Sequence, residues 1–215
     1  MKLANTQAVF VSAMILGAVL LQTGCATTGD QRSTHTRNTM KAVEQDYIDA
    51  LAQVDVTDGS LQSLIDQGQP DEQKAYDKYT GNVSRMESLA HRLFERADQM
   101  NAEQKNYFEE WRMQGNTYTD ERIQALSEQR RADLSEVFAQ ISQASVGVKG
   151  SLKAYISDIR QIKTYLSTDL TPKGVEAITP TIQQAITDGA QLKEAVQPVL
   201  SAIGNARAEL AQGGN

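Results

Sequence analysis

The chain has 215 residues, of which 40% are hydrophobic, 6% aromatic and 22% charged, with a formal net charge of −6 at pH 7. An acidic chain with no basic block makes a poor nucleic-acid binder. One cysteine and two histidines exclude an intramolecular disulfide and leave no Cys/His set that completes a metal site.

The first element is not part of a core. Met1–Gln7 carries Lys2 and no acid, and Ala8–Leu21 is apolar apart from Ser12 and Gly17. That run is shorter than the roughly 20 residues a spanning helix needs, but it suits the apolar centre of a signal peptide. It ends in Leu21-Gln22-Thr23-Gly24-Cys25, which resembles the lipobox of bacterial lipoproteins, with Gln22 where that family prefers leucine. The resemblance implies a signal peptide over residues 1–24, cleavage after Gly24, and lipidation of Cys25 as the new N-terminus. It also implies the periplasmic face of the outer membrane, because Ala26 stands where lipoproteins kept in the inner membrane often carry aspartate. Each buried methylene contributes about 0.8 kcal/mol, and two acyl chains suffice for stable anchoring.

Residues 25–37 read as the lipidated N-terminus and a flexible tether: Ala26–Arg37 is threonine-rich without apolar periodicity, and it reaches roughly 40 Å when extended. From Asn38 to the end the pattern is helical, with no stretch alternating as a strand would. Met40, Val43, Tyr47, Ala50 and Val54 predict a short first helix, about Asn38 to Gln53. Val54-Asp-Val-Thr-Asp-Gly-Ser60 then supplies turn residues, Ser60 can cap a short helix through Ile65, and Gln67–Pro70 punctuates again.

The next pattern is the strongest. Tyr76, Tyr79, Val83, Met86, Ala90, Leu93, Ala97, Met100, Gln104, Tyr107 and Trp111 keep a 3-4 alternation, the mark of a coiled-coil seam, and predict a helix over about Asp71–Gln114. Gly115–Tyr118 reads as a hairpin connection, with Gly115 suited to a left-handed C-terminal position and Thr117 or Thr119 as the following cap. A second seam runs through Leu134, Phe138, Ile141, Ser145, Val148, Leu152, Tyr155, Ile159, Ile162 and Leu166. Ile123 and Leu126 are out of phase with it, so a stutter is expected near Arg130 and Arg131.

Thr171-Pro172 and Thr179-Pro180 each offer a cap followed by proline at the first helical position. They predict a short helix, Pro172–Ile178, and a last long one from Pro180 to about Gln212, with Pro198 inside it. The last seam is Ile182, Ala185, Gly189, Leu192, Val196, Val199, Ile203, Ala206 and Leu210. Three matching seams joined by short connections predict an all-α fold over 38–215: an elongated antiparallel three-helix coiled-coil bundle with an additional short N-terminal helix. Folding the hairpins places Met86 opposite Gly147 and Gly150 opposite Gly189, a level of close approach or a hinge.

Chemistry is sparse. Glu87 and His91 lie one turn apart but lack the Glu-x-x-His spacing and partners of dimetal bundles, so a solvated pair is expected. No G-x-S-x-G, Ser-x-x-Lys or phosphate loop occurs; the expectation is no catalytic residues, no metal, no cofactor and no enzyme. Arg130 and Arg131 fall in register with Asp98–Glu103 as surface ion pairs. Tyr107, Phe108, Trp111 and Tyr118 gather at one end of the rod, either as a hydrophobic plug for the hairpin or as a partner-docking patch.

The stretch from about Tyr76 to Ile178 resembles an uncharacterised family of bacterial coiled-coil proteins, a domain of unknown function. The residues that carry this are Glu109-Glu110-Trp111, Arg131 with Leu134, and Ile162-Lys163, Leu166-Ser167 and Ala177-Ile178. The resemblance implies a long helical rod of the Gram-negative envelope and brings no activity. The expected function is a membrane-anchored periplasmic lipoprotein, structural or adaptor in role, with envelope protein partners. A carrier or chaperone for a lipid or apolar segment is the alternative.

Overall fold

The computed structural model describes residues 29–66 and 71–212. The expected signal peptide, Cys25, the first residues of the expected tether and the punctuation expected at Gln67–Pro70 lie outside them. Five helices are described: α1 (Gly29–Ile65), α2 (Glu72–Gly115), α3 (Glu121–Ala144), α4 (Val148–Thr168) and α5 (Pro172–Gln212). Each column runs antiparallel to the next, and α3 and α4 stack end to end as a single interrupted column. The ring is therefore α1, α2, α3/α4, α5 and back to α1. At about 1.5 Å per residue the 44-residue α2 is roughly 65 Å long.

The seams form the core. Tyr79, Val83, Met86, Ala90, Leu93 and Met100 are buried on α2; Leu134, Phe138 and Ile141 on α3; Val148, Leu152, Tyr155, Ile159, Ile162 and Leu166 on α4; and every seam residue from Ile182 to Leu210 on α5. Full burial of such a side chain contributes about 1.5–3 kcal/mol, several times any difference in helix propensity. α2 begins as expected: Asp71 caps it, its carboxylate accepting from Lys74 N at 3.0 Å.

The first helix differs from expectation. α1 is one continuous helix of 37 residues, so the fold is a four-helix bundle and not three helices with a short addition. The heptad explains why: Met40, Val43, Tyr47, Ala50 and Val54 are followed in phase by Thr57, Leu61 and Leu64, and preceded by Thr36, all buried. Turn-forming residues at 55–60 do not stop a helix whose apolar face continues through them. The expected tether is corresponding shorter, because residues 29–37 are already helical and packed. Ser33 Oγ donates to the Leu210 carbonyl at 3.0 Å, and Arg32 Nη2 donates to Gln114 Oε1 at 2.8 Å.

Two further boundaries move. Pro172–Ile178 is not a separate helix, because α5 passes through Thr179-Pro180 with Ile178 and Ile182 both buried on one seam. Proline at 180 leaves the Glu176 carbonyl without its usual N–H partner, while Thr179 Oγ1 bonds the Val175 carbonyl at 2.8 Å. The break in the third column lies at Ser145–Gly147, not at Arg130 and Arg131. Gly147 has φ 83°, a left-handed conformation that glycine adopts without a steric cost. The seam survives because Ile141 and Val148, one heptad apart, are both buried. Ile123 and Leu126 are out of phase as expected, with exposures of 50% and 71%.

The interface between α1 and α2 also carries buried polar groups at heptad spacing: Asp46, Gln53 and Ser60. Arg92 Nε and Arg96 Nη1 donate to the two oxygens of Asp46 at 2.8 and 3.1 Å. Gln53 Nε2 donates to the Asn82 carbonyl at 3.4 Å. These bonds satisfy groups that would otherwise be costly inside a bundle, and they fix the register of the pair.

Candidate functional site

One end of the bundle gathers the start of α1, the α2–α3 connection and the end of α5. Gly115 is the last residue of α2, not a left-handed cap; Asn116 follows with φ −67°. A Cβ there would make only ordinary contact, 3.6 Å from Ser127 Oγ. Asp120, and neither Thr117 nor Thr119, caps α3 by accepting from Arg122 N at 2.9 Å.

The aromatic residues close this end of the core. The Tyr107 ring meets Phe108 edge-on at 5.4 Å and Trp111 edge-on at 5.9 Å, and it stacks over Phe138 at 6.4 Å. Phe108 meets Phe138 edge-on at 5.3 Å. Each such pair contributes about 0.5–1.5 kcal/mol beyond its buried area. Trp111 Nε1 donates to Ser127 Oγ at 2.9 Å, which leaves its indole half-buried. This is the geometry of the plug.

A cavity of about 400 Å³ opens beside it, walled by Asp30, Arg32, Tyr107, Trp111, Tyr118 and Arg130 among others. Three of the four expected residues thus share one wall; Phe108 lines instead a separate surface depression with Arg112 and Arg131. Arg32 and Arg130 were not foreseen there. Arg130 bonds Glu209, by its side chain and through Nη2 to the backbone carbonyl at 3.1 Å, and not the Asp98–Glu103 stretch; Asp98 pairs with Lys149 at 3.0 Å. Arg32 stands 3.8 Å from Glu110. Burial pushes the Tyr107 hydroxyl above its ordinary pKa, and the two arginines oppose that shift. The wall thus combines aromatic faces with two arginines that are bonded within the bundle.

A second cluster lies in mid-rod. Tyr155 on α4 reaches diagonally across the core and donates to Asp58 Oδ1 on α1 at 2.7 Å. Gly189 on α5 makes room for it: a Cβ there would fall 2.5 Å from Asp58 Oδ2. The glycine level is therefore a socket for a carboxylate, and Gly150 has nothing within 4 Å of a Cβ. Burial lifts the Asp58 pKa to about 6, opposed by the Tyr155 hydrogen bond and by Lys193, while Asp55 adds to the rise. Burial raises the Tyr155 and Tyr79 hydroxyls too, with Asp58 contributing.

Asp58 gives a pH dependence of known sign. Between the ordinary value of 3.8 and about 6 the folded chain holds this proton more tightly than the unfolded one, so its contribution to stability is complete below 3.8 and is lost as pH rises through 6. At about 1.4 kcal/mol per pH unit, and allowing for partial exposure, the effect is on the order of 1–2 kcal/mol. Asp58→Asn keeps an acceptor for Tyr155, so melting curves should show it gaining on the parent chain as pH rises from about 4 to about 7. An unchanged difference across that range would show that Asp58 is ionised in the fold.

The expected pair of Glu87 and His91 is not formed. His91 Nδ1 faces Glu95 at 3.3 Å and Glu87 accepts from Arg160 Nε at 2.7 Å. Among the described residues no group of three His, Cys, Asp or Glu could hold a metal ion, and no helix is long and apolar enough to cross a membrane.

A family model described as "Protein of unknown function (DUF2959)" matches residues 30–210. The chain belongs to this family. The match takes in all of the described bundle but its outermost residues, including α1 and α5 as well as the stretch that carried the resemblance. No curated protein and no solved structure matches the chain.

Proposed function

We propose that this DUF2959 protein is a lipoprotein anchored by Cys25 to the periplasmic face of the outer membrane, where its bundle serves as a structural or adaptor rod for envelope proteins. The observation that carries the reading is the start of α1. Helix begins at Gly29, only four residues after Cys25, and is bonded to both neighbouring columns within its first turn and a half. A lipid on Cys25 would thus hold a stiff body by its end, an arrangement suited to spanning distance and offering side surfaces.

Cys25→Ser is expected to leave the protein unlipidated and lost from, or misplaced among, membrane fractions. Intact mass of the mature chain checks it, and a mature N-terminus other than residue 25 rejects the anchor. Crosslinking followed by affinity capture from membranes tests the adaptor role, which predicts protein partners held along the rod.

A carrier role is the second reading, favoured by one feature. At the α3–α4 break a largely apolar cavity of about 230 Å³ is lined by Leu93, Phe94, Met100, Val148 and Leu152. Co-purification of a lipid, visible as added mass under native conditions, would select this reading over the adaptor.

A further inference from the structure

We infer that the α2–α3 connection is a lipid-contacting tip, with Met113, Tyr118, Ile123 and Leu126 resting in the interfacial region of the membrane that holds the chain. The inference deepens the anchored reading, on which it rests, by naming which end of the rod faces the bilayer and what it touches.

Two independent observations meet here. The first is where the exposed apolar side chains lie. Among the described residues eight large hydrophobics are exposed, and four of them fall between 113 and 126: Met113 at 62%, Tyr118 at 40%, Ile123 at 50% and Leu126 at 71%. The other four, Ile48, Val56, Val146 and Tyr165, are spread along two columns, α1 and α3/α4. Single exposed hydrophobics are ordinary, but a group of them marks an interaction surface. They also break the seam: Ile123 and Leu126 sit in a helix whose buried residues are Leu134, Phe138 and Ile141, so packing of the bundle gives no reason for them.

The second observation is where the chain enters. Gly29 and Asp30 share the wall of the end cavity with Trp111, Gln114 and Tyr118. The four residue steps from Cys25 to Gly29 span at most about 14 Å. Whatever holds Cys25 lies within that reach of the start of α1, while the opposite end is one rod length away. A protein partner would have to fit the same narrow gap, whereas a lipid surface already fills it. Aromatic side chains with a polar tip, such as Tyr118, suit the headgroup level.

The test uses the full chain in vesicles of phosphatidylethanolamine and phosphatidylglycerol, with or without bromine on the acyl chains. Trp111 is the only tryptophan and serves first. Its emission should fall in the brominated vesicles. In a Trp111→Phe background, Leu126→Trp should be quenched more strongly still and Tyr165→Trp, at the far end, not at all. Unquenched Trp111 and Leu126→Trp in chains that float with the vesicles would overturn the tip. Equal quenching at Leu126→Trp and Tyr165→Trp would overturn it too, because the rod would then lie flat. Mass of the N-terminal peptide keeps the two readings apart. An unmodified Cys25 with quenched tip tryptophans retains the tip and rejects the anchor; a lipidated Cys25 with unquenched ones does the reverse; failure to float rejects both.

Discussion

Replacing Arg92 and Arg96 together by methionine is expected to lower the unfolding free energy by about 3–5 kcal/mol, the loss typical of a buried charge deprived of its partners. Asp46 is 2% exposed, and its partners are the Arg92 Nε at 2.8 Å and the Arg96 Nη1 at 3.1 Å. Either arginine alone still neutralises the carboxylate, so each single replacement should cost far less than the pair. The guanidiniums are 43% and 45% exposed, so removing Asp46 strands neither of them. Asp46→Leu should therefore be milder than the double replacement, although it deletes both ion pairs to Asp46, and it leaves Arg92 its 3.1 Å contact with Asp49. Denaturant unfolding of the four variants checks this ordering, and a double mutant as mild as the singles would mean that water reaches Asp46.

Ile159→Pro should be at least as damaging, at about 3 kcal/mol or more. Ile159 is fully buried on α4. Proline there removes the N–H that bonds the Tyr155 carbonyl, and its ring clashes with the same carbonyl. Two further contacts go with it. The Ile159 carbonyl accepts the Tyr79 hydroxyl from α2, and Tyr155 is the residue that holds Asp58. Circular dichroism and melting should both report the loss. A melting curve equal to the parent's would remove Ile159 from the core and with it the register of α2 against α4.

The parts of this fold that can be read in the sequence are those in which apolar residues carry the seam. Tyr79 to Met100, Leu152 to Leu166 and Ile182 to Leu210 needed only their spacing. The sequence misleads in α1, where the local chemistry of Val54–Ser60 favours a turn and the seam position between Val54 and Leu61 is a threonine. Tertiary packing decided that conflict, since Leu61 and Leu64 lie in phase beyond it and a helix is held by its whole buried face. Pro180 misleads for the same reason.

The candidate site was legible by halves. Tyr107, Trp111 and Tyr118 were placed together by the end of one seam and the start of a hairpin. Arg32 has no such signal, because the threonine-rich stretch around it lacks apolar periodicity. Asp58 left no local signal at all: its environment is made by Tyr155, 97 positions away, and by the missing side chain of Gly189. A carboxylate in a turn-like stretch reads as solvated until its partners are known.

The interruption at Gly147 divides the rod into unequal halves. α4 buries seven of its 21 residues, whereas α3 buries three of 24. The helical hydrogen-bond ladder is not continuous between them, so loosening of one need not propagate into the other. Cooperative units of this kind open at separate free energies, the less packed one first. Within the third column α3 is thus the compliant part, and α4, beyond Gly147, is its rigid stem. A pull along the axis would be absorbed in α3, near the point where the chain enters, while α4 keeps its shape.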